Sequence, residues 1–210
     1  METFSKAEEI EKKSFEIISE ELRQRGIILP QDEEMITKRV IHTSADFDYA
    51  DTMTYSKNAV ATAKKLLLDG ADIVTDTNMA LAGINKKALN RLGGQAHCFM
   101  ADEDVLKAAK DRGITRAAVS MEKAKCIEKP VIFAVGNAPT ALIKLCEMMN
   151  TGSWRPAFVI GVPVGFVNVE AAKELIMKTD VPYIVNRGRK GGSNVAAAIC
   201  NALLYEITGR

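Results

Sequence analysis

Side chains that move protons near neutral pH are scarce in this chain, which holds two histidines, His42 and His97. His42 sits in RVIHTSADFDYAD (39–51), with Thr43, Ser44, Asp46, Asp48 and Asp51 close behind it. An imidazole in that setting can act as acid or base towards a bound molecule. Arg39-Val40-Ile41 reads as the end of a short buried strand. In parallel α/β sheets, ligands sit outside the carboxyl ends of the strands. His42 is therefore expected at a ligand crevice. On position alone the plainer reading, a half-buried histidine bonded to a loop carbonyl, is favoured. His97, in an apolar run after Gly94, reads as a satisfied strand histidine.

Three glycine-containing stretches alter that balance: GNAPTAL (136–142), GVPVGFVN (161–168) and NRGRKGGSNVAAA (186–198). Each falls where an apolar strand pattern gives way to a helical one. Helix N-termini present free N–H groups to anions, and glycine lets a ligand approach the backbone. Arg187, Arg189 and Lys190 place three positive charges within four residues, making the third stretch the best anion site in the chain. For one such loop, tight turns and solvated cations are the favoured account. Three at one sheet edge, with His42 at the same edge, weaken it.

Other chemistries lack their signatures. GxGxxG, GxxxxGK[ST] and GxSxG are absent. Cys98, Cys126, Cys146 and Cys200 are scattered without a CxxC pair, so no metal-ligand constellation is expected and the thiols read as reduced, in a cytoplasmic protein. Cys126 and Cys200 read as core rather than nucleophile, and Met79, Met100, Met148, Met149 and Met177 as core filler. The 28 basic and 27 acidic residues nearly cancel, so no nucleic-acid surface is expected. Neither a membrane span nor a secretory signal is expected from the apolar runs and the charged first residues.

These groups need elements to position them. With 210 residues, 47% of them hydrophobic, the chain suits a single domain over 1–210. Residues 5–24 pattern as an amphipathic helix with Ile10, Phe15, Ile17, Ile18 and Leu22 near one stripe, and Ser5 with Glu8 suits a capping box. Residues 31–38 read as a short helical turn leading into the histidine strand. Helices follow over 56–69 and 102–112, with a β-rich run at 72–76 and an apolar run at 96–100. AAVSM (117–121) is ambiguous between strand and helix. VIFAV (131–135), 157–160 and 182–185 are buried-strand patterns, each followed by a glycine loop and a helix, over 141–149, 169–178 and 195–207. Such units predict an α/β three-layer sandwich: a mainly parallel sheet with crossover helices on both faces.

Taken together, SFEIISEE (14–21), RVIHTSAD (39–46), TDTNMALAGI (75–84), TRAAVSM (115–121), AVGNAPTAL (134–142), RPAFVIGVPVGFVNVEAAKE (155–174) and PYIVNRGRKGGSNVAAA (182–198) resemble the precorrin-8X and cobalt-precorrin-8 methylmutase family of cobalamin biosynthesis. The resemblance spans nearly the whole chain and implies an α/β sandwich working as a homodimer. It implies an isomerase that moves a methyl group from C-11 to C-12 of a tetrapyrrole, giving hydrogenobyrinate or cobyrinate. It places the catalytic histidine on His42 and substrate contacts on Ser14, Arg116 and Arg187, with a looser match at Asn85. A methyl shift around a conjugated ring calls for no protein-held metal, cofactor or nucleophile, and one histidine suffices to protonate a ring position. A large flat ring fringed with carboxylates calls for arginines and helix N-termini at the rim and an apolar floor. A corrinoid carrier that hands on the product shares the same pocket, and a nucleotide-binding α/β enzyme is disfavoured by the missing fingerprints.

Overall fold

The computed structural model describes residues 7–152 and 154–209. Helices α1 (Ala7–Gln24), α2 (Glu34–Ser44) and α3 (Tyr49–Thr52) lead into β1 (Met53–Tyr55) and α4 (Ala59–Leu68). Strand β2 (Asp72–Thr75), helices α5 (Asn78–Gly83) and α6 (Lys86–Arg91), and the two-residue β3 (Ala96–His97) follow. Next come α7 (Glu103–Arg112) and α8 (Arg116–Lys123), and then the repeated units: β4 (Val131–Val135) with α9 (Pro139–Asn150), β5 (Phe158–Gly161) with α10 (Val169–Met177), and β6 (Tyr183–Asn186) with α11 (Ser193–Thr208).

The six strands order as β1-β6-β5-β4-β2-β3, with β1 antiparallel to β6 and every other neighbour parallel. Successive side chains on a strand face opposite ways, and the core divides accordingly. Ile73, Ile132, Ala134, Phe158, Ile160 and Ile184 pack into one layer with α1, α2, α4 and α11. Val74, Phe133, Val135, Val159 and Val185 pack into the other with α8, α9 and α10. The expected three layers are present, and the central strands β4 and β5 read as unbroken apolar runs because both faces are covered.

Two readings change. Arg39-Val40-Ile41 is not strand: it lies inside α2, whose buried residues Ile36, Thr37, Val40 and Ile41 fall on one helical face. His42 thus stands in the last turn of a helix. AAVSM resolves as helix, with Thr115 capping α8 by accepting from the Ala118 N–H. The cap at Ser5 lies outside the described residues.

Of the methionines, Met148 and Met149 are buried, but Met79 is 72% exposed. Cys126 is exposed rather than core, whereas Cys200 is buried. His97 is hydrogen-bonded through Nε2 to Asp72 Oδ2 at 2.9 Å, the satisfied strand histidine expected. No helix among the described residues is long and apolar enough to cross a membrane.

Candidate active site

The segment that follows His42 reaches the carboxyl edge of the sheet by a route the strand reading missed. After α2, Ala45 adopts a left-handed conformation (φ 53°) and turns the chain, its N–H closing on Ile41 O at 2.7 Å. Asp46 and Asp48 follow, and both accept from Lys190 Nζ, at 2.5 and 2.6 Å. The histidine segment is thereby tied to the basic glycine loop after β6. The Lys190 contact holds the Asp46 carboxyl below the usual carboxylate range, and the two carboxylates push the lysine up.

The imidazole of His42 is exposed and stacks on Phe15 of α1, with ring centroids 5.4 Å apart and planes inclined by 27°. The Arg39 guanidinium covers Phe15 as well, 4.7 Å from its centroid. Ser14, one residue before Phe15, donates its hydroxyl to Ile10 O at 2.9 Å. Ser14 and His42 line one cleft of about 450 Å³ with Ile17, Glu21, Arg25 and Phe47. Two of the residues singled out from sequence are thus brought together.

The three glycine loops abut one another. A Cβ on Gly136 would lie 2.7 Å from Gly192 O, and one on Gly191 would lie 2.1 Å from Val162 O, so neither position admits a side chain. The Gly192 N–H donates to Val162 O (2.9 Å), and the Gly165 N–H donates to Arg189 O (3.1 Å). Arg187 is exposed, its backbone N–H held by Thr52 O. Arg116, exposed at the start of α8, follows Thr115, whose hydroxyl donates to Thr140 in the first turn of α9 at 2.9 Å. Arg116 is thus anchored beside the first turn of α9, and Arg187 beside the residue that precedes β1.

The GNAP loop does not offer free N–H groups. Fully buried Asp76, just after β2, accepts from the N–H groups of Gly136 (2.8 Å), Asn137 (2.8 Å) and Ala138 (2.6 Å). Burial raises its carboxyl, and these three bonds oppose the rise. The expectation that this helix N-terminus receives a ligand anion is corrected: an internal carboxylate fills it.

Asn85 also has another engagement. It caps α6, accepting from the Ala88 N–H at 3.0 Å, while its own N–H donates to Asn201 Oδ1. Asn201 lies about 12 Å along α11 from Ser193, at ~1.5 Å per residue, so the structure does not bring Asn85 to the glycine loops.

Apolar side chains stand out at this edge. Phe166 is 84% and Val167 77% exposed in the GVPVGFVN loop, and the Arg189 guanidinium lies 5.7 Å from the Phe166 centroid. Met79 lies two residues after Thr77, whose hydroxyl is 2.7 Å from that of Ser193. Phe15 and Met79 were not among the site residues read from sequence. The signal for Met79 was its place just after a strand-end Thr-Asp-Thr-Asn, while nothing local marks Phe15.

Fold and site define an α/β protein in which a cleft holding a histidine is tied, through Asp46 and Asp48, to a cationic loop at the carboxyl edge of a mainly parallel sheet. The sequence model of the precorrin-8X methylmutase family matches residues 9–206, and the chain belongs to that family, an isomerase family of cobalamin biosynthesis. It is 45% identical to the cobalt-precorrin-8 methylmutase of Salmonella typhimurium over 94% of each chain. It is 41% identical to the protein of that name from Priestia megaterium, covering 93% of this chain and 86% of the relative. The precorrin-8X methylmutase structure from Thermus thermophilus superposes with a TM-score of 0.85 at 36% identity, over 95% of this chain and 98% of that one.

Proposed function

We propose that the chain, acting as one domain, moves the methyl group from C-11 to C-12 of cobalt-precorrin-8, with His42 as acid and base. The C-11–methyl bond breaks as the C-12–methyl bond forms, so no atom enters or leaves. A proton lent by His42 biases the ring and returns at the end. Ser14 approaches the ring beside His42, and Arg187 and Arg116 take peripheral carboxylates. Phe166, Val167 and Met79 supply apolar surface to the ring face. Asn85, the looser match of the resemblance, is the weakest member of this set, since its carboxamide already caps a helix.

The observation that carries the reading is that His42 and Ser14 share a cleft tied to the basic loop through Lys190, Asp46 and Asp48. The cobalt-bearing substrate is favoured by the names of the two relatives. The test is a parallel assay of precorrin-8X and cobalt-precorrin-8, following product by its visible spectrum. Faster turnover of the cobalt-free ring reverses the choice of substrate, and turnover of neither ends the proposal.

The cleft is open, and a flat ring needs a wall on each face. Ile10 and Ile17 are about half exposed on α1. We infer a cytoplasmic homodimer, since isologous pairing is the commonest association of soluble chains. Light scattering should return twice the 22.9 kDa chain mass. An active monomer contradicts this.

A further inference from the structure

The loop from Arg187 to Gly192 has an uneven hydrogen-bond balance. Its carbonyls are engaged from within: Gly188 O and Lys190 O each accept from Lys173 Nζ at 2.8 Å, Lys190 O also accepts from Asn186 Nδ2 at 2.6 Å, and Arg189 O accepts from the Gly165 N–H. Its amides are not. Among the described residues, the N–H groups of Gly188, Arg189, Lys190 and Gly191 have no protein acceptor. A loop held by its carbonyls with its N–H groups unspent is built to receive an anion.

Lys173, on α10, is the unusual member. Its side chain is 1% exposed, and among the described residues it has no ion-pair partner. Glu170, the acidic group that bears on its charge, is bonded to Arg189 Nε at 3.0 Å instead. Burying an ammonium without a carboxylate is costly. The two carbonyl partners of Lys173 accept its protons but supply no negative charge.

We propose that Lys173 is a positioning residue for a peripheral carboxylate of the ring: it holds the loop by two carbonyls, and the bound carboxylate completes its uncompensated charge. This rests on the reading of the basic loop as the carboxylate rim. Lys173 itself does not touch the ring; it acts through the loop.

Charge state gives an independent readout, because burial lowers the Lys173 amine to about 8. The neighbouring charges differ in kind. Arg187 and Arg189 are guanidinium groups, and Lys190 is pushed up by Asp46 and Asp48. On α9, packed beside α10, Lys144 pairs with Glu147 and Glu122. Strands β5 and β6 bring no charged side chain, and Tyr183 stands at the opposite end of β6 from the loop.

The test measures the dissociation constant for cobyrinate by absorbance titration, together with KM and kcat, for the wild type, Lys173→Met and Arg187→Ala. Loss of a charge-assisted contact predicts roughly ten- to hundredfold weaker binding in both variants, falling on KM more than on kcat. Wild-type affinity should also decline as pH rises beyond about 8, while Lys173→Met shows no such decline. If Arg187→Ala weakens binding and Lys173→Met does not, the role given to Lys173 is wrong and the rim stands. If neither weakens binding, the rim itself is wrong. Should Lys173→Met not fold, the wild-type series decides: affinity that is flat from about pH 7 to 9.5 overturns the proposal.

Discussion

Phe15 and His42 form a stacked pair, 5.4 Å between ring centroids, that joins α1 to the last turn of α2. The Arg39 guanidinium also lies over the Phe15 ring, 4.7 Å from its centroid. The pair matters because His42 has an exposed ring on a helix end, where little else restrains it. A ring stack of this kind contributes about 0.5–1.5 kcal/mol. Phe15→Ala should therefore lower kcat roughly two- to tenfold while leaving cobyrinate affinity nearly intact. Unchanged turnover would show that the stack does not orient the imidazole.

Arg116→Ala and Arg187→Ala should each weaken corrinoid binding about ten- to hundredfold, the worth of a charged hydrogen bond. Affinity of the wild type should also fall as salt is added. Asn85→Ala should behave differently: losing the α6 cap costs about 1 kcal/mol of stability, read as a lower denaturation midpoint, with binding little changed. Equal binding losses at all three positions would return Asn85 to the substrate contacts.

Asp76 is expected to matter for folding before chemistry. Asp76→Ala strands the N–H groups of Gly136, Asn137 and Ala138, and an unsatisfied buried donor costs about 1–3 kcal/mol. The variant should lose at least ~3 kcal/mol in urea denaturation, and Asp76→Asn, which keeps one acceptor oxygen, should lose less. A midpoint equal to wild type in both variants contradicts this account of the GNAP loop.

Stability should also carry the mark of Lys173. Its amine lies near 8 in the fold and 10.5 when exposed. Between those values the unfolded chain holds a proton that the native protein has shed, so native stability rises with pH through that window and is lost as pH falls below it. The gap corresponds to about 3.5 kcal/mol at ~1.4 kcal/mol per pH unit. Lys173→Met lacks this term. The wild-type stability measured against it should therefore rise by about that amount between roughly pH 7 and 10.5. A constant difference across the range contradicts a buried, charged lysine.

The three strand–loop–helix units were legible because VIFAV and its counterparts are largely apolar and each runs into a glycine-containing loop. That pattern forces a covered parallel sheet with its loops at one edge. Helix α2 was misread because Arg39-Val40-Ile41 is too short to display a period. The longer spacing of Ile36, Thr37, Val40 and Ile41 carries the helical signal. The pairings that assemble the site lie beyond any local pattern. Lys190 meets Asp46 across 144 residues, and Asp76 meets Gly136 across 60. Each depends on which strands end side by side, and so Asp76 filling the GNAP loop was not foreseeable from the loop's own residues.

The most direct measurement is single-turnover methyl migration by His42→Ala on cobalt-precorrin-8, monitored by the spectral change to cobyrinate, beside its affinity for that product. With His42 as acid and base, the rate should fall on the order of 10²–10⁴-fold while cobyrinate still binds as it does to the wild type. Migration at the wild-type rate in that variant would contradict the assignment and leave the ring's rearrangement to binding alone.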